Sequence, residues 1–346
     1  MVRSSRYSAL KAFKFPSRIA GIKTRVPVGP VHVQMILSDL CNQNCNFCAY
    51  RDPTYTSSQL FHVEGNYNPN RMLPFDKVIE ILDDCKEMGV EAIQLTGGGE
   101  PTVYPKFQEV VDAILERGMK WALVTNGVLS KKWDFSTATW MRVSLDAANA
   151  QTYSKIRNVP IGHFEKALET IESYKCGVGF VVTPQNWTEI LEAALLAKRL
   201  GASNIRIGAQ FSSKGEDLFQ RFREDATKLS SMAEAISDDS FEVFNKFGEK
   251  LDELNQGSPD YKTCGYQHFT TYIGADQNLY RCCIYAYSPR GLIATLKGKR
   301  FKDVWQQIAY PDFERFDARG CVRCQYNRIN RNLNEVLEKE ESEAFV

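Results

Sequence analysis

Six short apolar runs alternate with longer amphipathic segments along residues 31–208. The runs have the length and composition of strands, and the segments carry apolar residues at helical spacing. Repeated strand–helix units predict an α/β fold in which helices cover a parallel sheet. Six units fit an open, partial (β/α)6 TIM-like barrel better than a closed barrel of eight. The predicted strands are 31–37, 92–96, 121–125, 141–145, 178–182 and 204–208, and the predicted helices are 75–88, 107–117, 164–174 and 188–200.

Three cysteines lie in the loop after the first predicted strand. Cys41, Cys45 and Cys48 fall within eight residues. Three thiolates on one short loop can bind three corners of a [4Fe–4S] cluster and leave the fourth iron open to a substrate or cofactor. The alternative is a structural zinc site, which normally has four nitrogen or sulfur ligands. The spacing favours the iron–sulfur cluster, and both interpretations stay open at this point.

Glycines and an acidic residue follow the second predicted strand, where Gly98, Gly99 and Glu100 stand in sequence. Glycine has no Cβ, so a ligand can approach the backbone closely at such a loop. Glu100 would add a hydrogen-bond acceptor at the same edge of the sheet. The fourth strand ends near Ser144 and Asp146, which point to the same side if the chain is extended there. Asp146 also suits the N-cap of a following helix.

The cysteine loop and the glycine loop together resemble the radical S-adenosylmethionine (SAM) superfamily. The resemblance rests on Cys-x3-Cys-x2-Cys with an aromatic residue before the last cysteine, and on Gly-Gly-Glu about fifty residues later. It implies a [4Fe–4S] cluster on the three cysteines, with SAM on the open iron. The implied SAM contacts are Gly98, Gly99 and Glu100 to the amino group, Ser144 and Asp146 to the ribose or carboxylate, and Arg157. Asn186 and Arg206 are further candidates, and Asn126 is interpreted as a turn residue.

A second set of cysteines lies near the carboxyl terminus and comprises Cys264, Cys282, Cys321 and Cys324. Two short predicted strands, 270–273 and 278–281, lie between the first two members. Four thiolates fit zinc and [4Fe–4S] equally well. The segment resembles the SPASM/Twitch extension of radical SAM enzymes, which implies one auxiliary [4Fe–4S] cluster. Gln277 stands where that extension has a glycine, and Cys283 is left out because it would point to the other face of a strand.

The sequence as a whole suggests five structural units. We expect a basic amino-terminal arm (1–30), the partial barrel (31–211), a helical connector (212–262), the Twitch/SPASM-like domain (263–330) and a tail (331–346). Residues 1–38 contain seven Lys and Arg and no acidic residue. That pattern suits a transit peptide, a polyanion-binding arm or, as we favour, a helix across one barrel end with its basic side in water. The long loop 49–73 suits a lid over the cluster or a passive insertion.

Composition narrows the location and the partners. The chain has ten cysteines, and eight of them fall in two clusters, which indicates metal binding in a reducing compartment and predicts a cytoplasmic protein without a signal peptide. No window has eighteen consecutive apolar residues, so no membrane span is expected. The net charge of +1 gives only weak support for a nucleic-acid partner. A reducing electron donor of the flavodoxin or ferredoxin type is implied by the resemblance.

The resemblance also implies the chemistry. One electron from the cluster would cleave SAM to a 5′-deoxyadenosyl radical, which would take hydrogen from a substrate carbon. The expected outcome is oxidation or rearrangement of a small molecule or nucleoside-type substrate by an oxidoreductase or isomerase. One alternative is isomerisation of a modified thymine in phage-type DNA, which the basic arm would suit. Another is a peptide-modifying maturase, although about thirty residues before the barrel are too few for a separate peptide-binding domain. The alternative of another class is a non-catalytic, zinc-stabilised binding module.

Overall fold

The computed structural model describes residues 8–51, 71–212 and 215–337. Within these ranges ten strands form one sheet in the order β10-β9-β8-β1-β2-β3-β4-β5-β6-β7. All six predicted strands are confirmed, with ends within two residues of those expected. The strands are β1 His32–Met35, β2 Ala92–Leu95, β3 Lys120–Thr125, β4 Trp140–Ser144, β5 Gly177–Val182, β6 Asn204–Ala209, β7 Glu242–Lys246, β8 Thr270–Ile273, β9 Asn278–Tyr280 and β10 Leu292–Thr295.

Helices connect the strands and include the four that the sequence predicts. They are α1 Pro16–Thr24, α2 Phe75–Glu87, α3 Phe107–Glu116, α4 Ala150–Arg157, α5 Gly162–Tyr174, α6 Ile190–Arg199, α7 Arg223–Glu234, α8 Phe247–Gln256, α9 Phe301–Val304, α10 Tyr310–Arg315 and α11 Asn327–Leu337. A π-helical turn, Trp305–Ala309, joins α9 to α10. Short 3-10 turns occur at Lys11–Lys14, Ala49–Arg51, Pro101–Val103, Ser130–Lys132, Trp187–Glu189, Gly215–Leu218, Gly265–His268 and Ala318–Gly320.

The six central strands are parallel and have two different faces. Because side chains alternate along a strand, every second residue packs against the helices in the main hydrophobic core. Val33 and Met35 of β1 and Val143 of β4 are such residues, and each is fully buried. The other face carries polar residues and glycines and faces the inside of the curved sheet. This is the predicted α/β partial barrel, and it places the carboxyl ends of these six strands at one edge.

The segment 212–262 differs from our expectation of a helical connector. It contains helices α7 and α8, but also strand β7, which pairs in parallel with β6. The sheet therefore continues through a seventh strand–helix unit. Val243 and Phe244 are the buried residues of this strand. Their apolar signal is short, and charged residues at both ends of the strand conceal it in the sequence.

The carboxyl-terminal segment extends the same sheet on its other side. Strand β8 pairs in parallel with β1, and β9 folds back antiparallel onto β8 as a hairpin. Gln277 in the hairpin turn has φ 64°. This left-handed conformation is one that glycine adopts freely and other residues adopt at a cost. The turn therefore has the geometry of a glycine turn although the residue is glutamine.

The described part of the amino-terminal arm contains a helix at the amino ends of β1 and β8. Ile19 and Ile22 of α1 pack against a small apolar cluster that includes Phe269 and Leu333. Arg18 donates a hydrogen bond of 2.6 Å to the carbonyl oxygen of Gly89. The basic residues Lys14, Lys23 and Arg25 are exposed. This is the arrangement we favoured for the arm, except that Arg18 binds the end of α2 rather than water.

Parts of the expected lid, amino-terminal arm and tail lie among residues that the structure does not describe. Most of the expected lid, residues 52–70, lies outside the described ranges, as do residues 1–7 and 338–346. The lid therefore stays a prediction. None of the helices within the described ranges combines the length and apolar character required to cross a membrane.

Candidate functional site

The cysteine loop follows β1 and is fastened to the end of a helix. Cys41, Cys45 and Cys48 are each partly exposed. The amide of Asn44 donates to the carbonyl oxygen of Arg157 at 3.0 Å, and the amide of Asn46 donates to that of Ile156 at the same distance. Both acceptors lie in the last turn of α4, whose final carbonyl groups have no partner inside the helix. The loop satisfies these carbonyl groups and is oriented by them.

The glycine loop after β2 packs directly on the cysteine loop. The amide of Gly99 donates to the carbonyl oxygen of Ser38, and the amide of Glu100 donates to that of Leu40, each at 2.9 Å. A Cβ atom at Gly99 would lie 2.0 Å from the carbonyl oxygen of Leu40. Gly98 is buried between these contacts. Glycine is therefore required at position 99 by the protein's own backbone, in addition to the ligand approach that the sequence suggested.

Glu100 is 3% exposed and is surrounded by donors. Its Oε1 accepts from the amide and hydroxyl of Thr102 at 3.1 and 2.6 Å and from the hydroxyl of Thr125 at 2.6 Å. Its Oε2 accepts one bond, from the amide of Asn126 at 2.8 Å. Burial raises the pKa of Glu100, and these hydrogen bonds oppose the rise. Since a carboxylate oxygen accepts about two bonds, Oε2 retains a position for an ammonium group.

Asn126 does more than form a turn, which is all that we expected of it. Its Nδ2 donates to Oδ1 of Asn42 at 2.6 Å, and Asn42 lies within the cysteine loop. Its Oδ1 accepts from the amide of Val128 at 3.0 Å. Together with the bond to Glu100, these contacts link the ends of β1, β2 and β3. The position directly after the third predicted strand was the available signal for this residue.

Arg157 is buried at the end of α4 and binds the cysteine loop. Its guanidinium group donates to Oε1 of Gln43 at 2.5 Å, to the Sγ atom of Cys45 at 3.8 Å and to the carbonyl oxygen of Ser144 at 2.8 Å. It also forms an ion pair with Asp146. Burial alone would lower the pKa of Arg157, but its neighbours, Tyr153 foremost, outweigh that effect and raise it. The described contacts make Arg157 a positioning residue for the loop, and the predicted SAM contact stays a prediction.

Asp146 and Ser144 are not arranged as we expected. Strand β4 ends at Ser144, and Asp146 has φ 57°, so the two side chains are not on one extended strand. The carboxylate of Asp146 pairs with Arg157 and accepts from the amide of Val181 at 2.6 Å. It does not cap the next helix, whose N-cap is Asn149. Ser144 is partly exposed at the rim, and its hydroxyl has no hydrogen-bond partner among the described residues.

Asn186 is also used by the protein itself. Its Nδ2 donates to the carbonyl oxygens of Asp146 and Val181 at 2.8 and 2.9 Å, and its Oδ1 accepts from the amide of Thr183 at 2.7 Å. It closes the end of β5 against the end of β4. Arg206 lies in the middle of β6, below the rim where Ser144 sits. The rim therefore brings together the cysteine loop, the glycine loop, Ser144, Asp146 and Arg157.

The residues at this edge fit a [4Fe–4S] cluster that binds SAM. They supply three thiols from one loop, an open acceptor position on Glu100 and a donor near the sulfur of Cys45. Burial raises the pKa of Cys41 well above its usual range, so a metal must displace the thiol proton on binding. Within the described residues no three or more His, Cys, Asp or Glu side chains are arranged around a single ion. A cluster differs from such a site because each thiolate binds a separate iron.

The four cysteines of the second set lie together although they come from three separate segments. Cys264, Cys282, Cys321 and Cys324 all line one small cavity. The amide of Tyr326 donates to the Sγ atom of Cys324 at 3.3 Å, and Nδ2 of Asn330 donates to it at 3.7 Å. Hydrogen bonds to sulfur are a common feature of iron–sulfur sites. The donor set therefore fits a cluster with four protein ligands.

Cys283 does not line that cavity. Its Sγ atom lies 2.9 Å from the hydroxyl of Tyr326 and accepts from Nε2 of Gln325 at 2.7 Å. We excluded Cys283 on the argument that it points to the other face of a strand. Strand β9 ends at Tyr280, so a bend in the chain separates the two neighbouring thiols rather than the alternation of a strand.

Tyrosines that no sequence motif indicated lie between the two cysteine sets. The hydroxyls of Tyr50 and Tyr272 are 3.0 Å apart, and Tyr272 donates to the carbonyl oxygen of Gly97 at 3.4 Å. Asp39, two residues before Cys41, accepts a hydrogen bond from the hydroxyl of Tyr287. Burial raises the pKa of Asp39 to about 7. Only the position of Tyr50 beside the cysteine motif was a signal in the sequence.

Comparisons with known proteins agree with the motifs. The sequence model of the radical SAM superfamily matches residues 35–197. A probable GTP 3′,8-cyclase of Saccharolobus islandicus is 27% identical over 186 residues, which is 51% of this chain and 55% of that protein. Mycofactocin maturase MftC of Mycolicibacterium smegmatis is 28% identical over 205 residues, 55% of this chain and 47% of that protein. The chain thus spans about half the length of the curated relatives it matches.

Solved structures share the fold over most of the chain. SuiB of Streptococcus suis bound to the precursor peptide SuiA has a TM-score of 0.61 and 18% identity, covering 98% of this chain and 80% of that one. Native anSMEcpe with bound AdoMet has a TM-score of 0.56 and 14% identity, covering 88% of this chain and 96% of that one. At these identities the similarity shows the fold alone. The family match and the relatives carry the assignment: residues 35–197 are a radical SAM domain, and the chain is similar to proteins of the radical SAM superfamily.

Proposed function

We propose that this protein cleaves SAM reductively and uses the resulting radical to oxidise or rearrange a small-molecule or nucleoside-type substrate. Cys41, Cys45 and Cys48 hold the [4Fe–4S] cluster in this proposal. When bound, the cluster supplies the electron that breaks the sulfonium–carbon bond of SAM and yields the 5′-deoxyadenosyl radical, which takes hydrogen from a substrate carbon. A flavodoxin- or ferredoxin-type donor delivers the electron.

The chain's own residues position the reactants. The amino group of SAM donates hydrogen bonds to Oε2 of Glu100 and to the backbone at Gly98 and Gly99. The free hydroxyl of Ser144 binds the ribose or the carboxylate group from the next rim position. Arg157 holds the cysteine loop in place, because its guanidinium group binds protein groups in and around that loop. The orientation and exclusion of water are the protein's contribution, whereas the radical chemistry is that of the cofactor.

One observation carries the proposal: the ends of β1, β2 and β3 are hydrogen-bonded to one another at the rim. Asn126 binds both Asn42 and Glu100. A zinc-stabilised binding module would require no such link between the cysteine loop and a buried carboxylate. A site that presents SAM to an open iron requires both groups to be held in register, because small misplacements reduce rates strongly.

A second cluster on Cys264, Cys282, Cys321 and Cys324 is part of the proposal. All four positions are filled by protein thiols, so this cluster stabilises the fold or relays electrons rather than binding substrate. The tyrosines between the two sets, Tyr50 and Tyr272 among them, form part of the wall between the clusters.

The experiment is anaerobic reconstitution with iron and sulfide, followed by reduction in the presence of SAM. We expect about eight irons per chain and the formation of 5′-deoxyadenosine. The matched variants are C41A/C45A/C48A, which should lose product formation, and Cys176→Ala, which alters a buried cysteine of the core outside both sets. A colourless, zinc-containing protein that leaves SAM intact would refute the proposal and favour the binding module.

A peptide substrate is the second candidate, and the match to MftC supports it. That relative is a maturase and shares 28% identity with 55% of this chain. The reaction would then be oxidation or crosslinking of a peptide residue. Incubation with SAM, reductant and candidate peptides, followed by mass spectrometry, separates the two options. A mass change in a peptide would favour the maturase function over small-molecule or nucleoside chemistry.

A further inference from the structure

A turn beside the second cysteine set lies at the surface and carries an exposed apolar residue. Val322 directly follows Cys321 and is 59% exposed. Its amide donates to the hydroxyl of Tyr285 at 2.6 Å, and the amide of Cys321 donates to the carbonyl oxygen of Ala318 at 2.9 Å. These bonds hold the backbone of the turn in place. The side chain of Val322 therefore stays in water, one residue away from a proposed iron ligand.

Three basic side chains surround this turn. Arg290 lies against Gly320, where an added Cβ atom would clash with its guanidinium group, and it donates to the carbonyl oxygen of Asp317 at 2.9 Å. Arg315 lines the same cleft as Arg290, which has a volume of about 400 Å³. The carbonyl oxygen of Lys262 accepts a hydrogen bond of 2.9 Å from a backbone amide of the turn. All three basic residues are exposed.

The acidic residues of the two segments that form this surface, 260–262 and 312–320, each form an ion pair with an arginine. The pairs are Asp260–Arg331, Asp312–Arg281, Glu314–Arg25 and Asp317–Arg319. Arg290 and Arg315 donate to backbone carbonyl groups instead. Neither they nor Lys262 pair with a carboxylate in the described part of the chain. The surface is therefore basic, and we call Lys262, Arg290, Arg315 and Val322 the basic face.

The loop of the first cysteine set has a different character. Residues 40–50 include all three of its cysteines and contain no charged residue. Attraction between oppositely charged surfaces accelerates the encounter of two proteins and helps to select the partner. The loop itself supplies no such attraction, whereas the basic face supplies it directly beside the second set.

We infer that the basic face is the docking site of an acidic electron-transfer protein, which delivers its electron to the second cluster. The inference rests on the proposed function and specifies where the electron donor of that function binds. Transient redox complexes have small interfaces, and protein interfaces commonly have an apolar centre and a polar rim. Val322 supplies the apolar contact, and the three cations attract carboxylates of the donor.

One electron moves in each encounter. The donor leaves oxidised by one electron, and that electron reduces the second cluster by one. It then passes to the first cluster across the wall to which Tyr50 and Tyr272 contribute, and it is used to break the sulfonium–carbon bond of SAM. Entry at a set closed by four thiols leaves the open iron of the first set free for SAM.

The test is binding of a purified acidic flavodoxin to the reconstituted protein under anaerobic conditions, measured by surface plasmon resonance. The variants are Arg290→Gln, Arg315→Gln and the double variant. The matched control is a double variant with Arg199→Gln and Lys228→Gln, because these two side chains are exposed on α6 and α7. Thermal unfolding checks that every variant is folded.

We expect the wild type and the control to bind flavodoxin equally well, and the Arg290/Arg315 double variant to bind it about tenfold more weakly. Raising the salt concentration from about 50 to about 300 mM should weaken binding to the wild type more than binding to the double variant, since salt screens the charges that were removed. A basic cytochrome c should not bind. No flavodoxin binding to the wild type, or equal binding to a folded double variant, would overturn the inference.

Photo-crosslinking locates the docking site without removing a charge. The photoreactive residue p-benzoylphenylalanine is placed at Val322 in one protein and at Met232 in another, because Met232 is an apolar residue 45% exposed on α7. We expect a crosslink to flavodoxin from position 322 and none from position 232. A yield from position 232 that equals or exceeds the yield from position 322 would contradict the basic face as the docking site.

These outcomes are separate from the test of SAM cleavage. Dithionite is a small reductant that needs no docking site, so dithionite-driven cleavage should be equal in the wild type and in the Arg290/Arg315 double variant. Cleavage with dithionite but without arginine-dependent binding of flavodoxin would refute the docking site and retain the proposed function. Arginine-dependent binding in a protein that does not cleave SAM would do the reverse.

Discussion

The two cysteine sets differ in how they are built and in how they are enclosed. The first comes from one loop of eight residues, whereas the second combines thiols from three segments between Cys264 and Cys324. Around the first set lie hydrogen-bonded polar groups such as Glu100, Asn126 and Arg157. Tyrosines lie around the second set, and the Sγ atom of Cys324 accepts a hydrogen bond from a backbone amide. A set with three thiols and polar neighbours suits an open metal position, and a set with four suits a closed one.

The largest difference should appear on removing one thiol from each set. Cys45→Ala should eliminate 5′-deoxyadenosine formation, because the open cluster requires all three ligands of its loop. Cys324→Ala should retain that activity while losing up to about half of the bound iron. The measurements are product quantification by chromatography and iron analysis on reconstituted protein. Loss of activity in the second variant with the first cluster intact would show that the two sets are not functionally separate.

Breaking the ion pair beside the first set should lower the free energy of unfolding more than breaking the one beside the second set. Arg157→Met leaves Asp146 charged and buried, and should cost about 3–5 kcal/mol in the free energy of unfolding. Arg281→Met, beside the second set, should cost less, roughly 1–3 kcal/mol, since it removes charged hydrogen bonds but its partner Asp312 is one third exposed and stays hydrated. Urea unfolding of both variants measures the difference. Equal costs would contradict the difference in burial.

Acid should weaken the region of the second set through His268. This side chain packs between Tyr310 and Phe313, and burial lowers its pKa to about 4. Between pH 6.5 and 4 the unfolded chain binds the proton and the folded chain does not, so stability falls as the pH falls. The contribution is about 3 kcal/mol across that window.

His268→Gln should flatten this part of the pH profile, as followed by chemical unfolding at several pH values. A residual slope of the same sign is expected from His32, whose pKa is also lowered to about 4 by burial. His163→Gln is the control, because His163 is partly exposed. An unchanged profile in the His268 variant would show that the imidazole is accessible to water.

The smallest expected effect concerns the hairpin that carries Cys282. Gln277→Gly removes a left-handed glutamine and should stabilise the protein by about 1 kcal/mol. Asn158→Gly is the control, because asparagine tolerates its φ of 51° better than glutamine tolerates 64°. Thermal unfolding compares the two. A destabilised glycine variant would mean that the Gln277 side chain contributes contacts that outweigh the backbone strain.

The framework of the fold follows from the sequence, and the links within the site do not. The six central strands are short apolar runs with helical neighbours, so period and length suffice to predict them. Strand β7 was not predicted, because its two buried residues are too short an apolar run and lie between the charged residues Glu242 and Lys246. The hairpin β8–β9 was predicted, but its pairing with β1 was not, because parallel pairing between distant segments leaves no local signal.

The candidate site likewise combines features that the sequence predicts with contacts that it does not. Motif spacing predicted the cysteine loop and Glu100, and the fold brings them to one rim. The contact between Asn126 and Asn42 depends on loop conformations that spacing does not specify. The prediction that Ser144 and Asp146 share one strand face was wrong because Asp146 adopts a positive φ, which ends the alternation there. The role of Arg157 could be seen only once α4 was placed against the cysteine loop.

The most direct measurement is electron paramagnetic resonance of the reduced, reconstituted protein with and without SAM. We predict two [4Fe–4S] signals in the wild type, of which SAM changes one. The signal that responds should be missing in C41A/C45A/C48A and present in C264A/C282A/C321A/C324A. A SAM response that survives in the first variant, or no response in any of the three proteins, would contradict an open cluster at the cysteine loop.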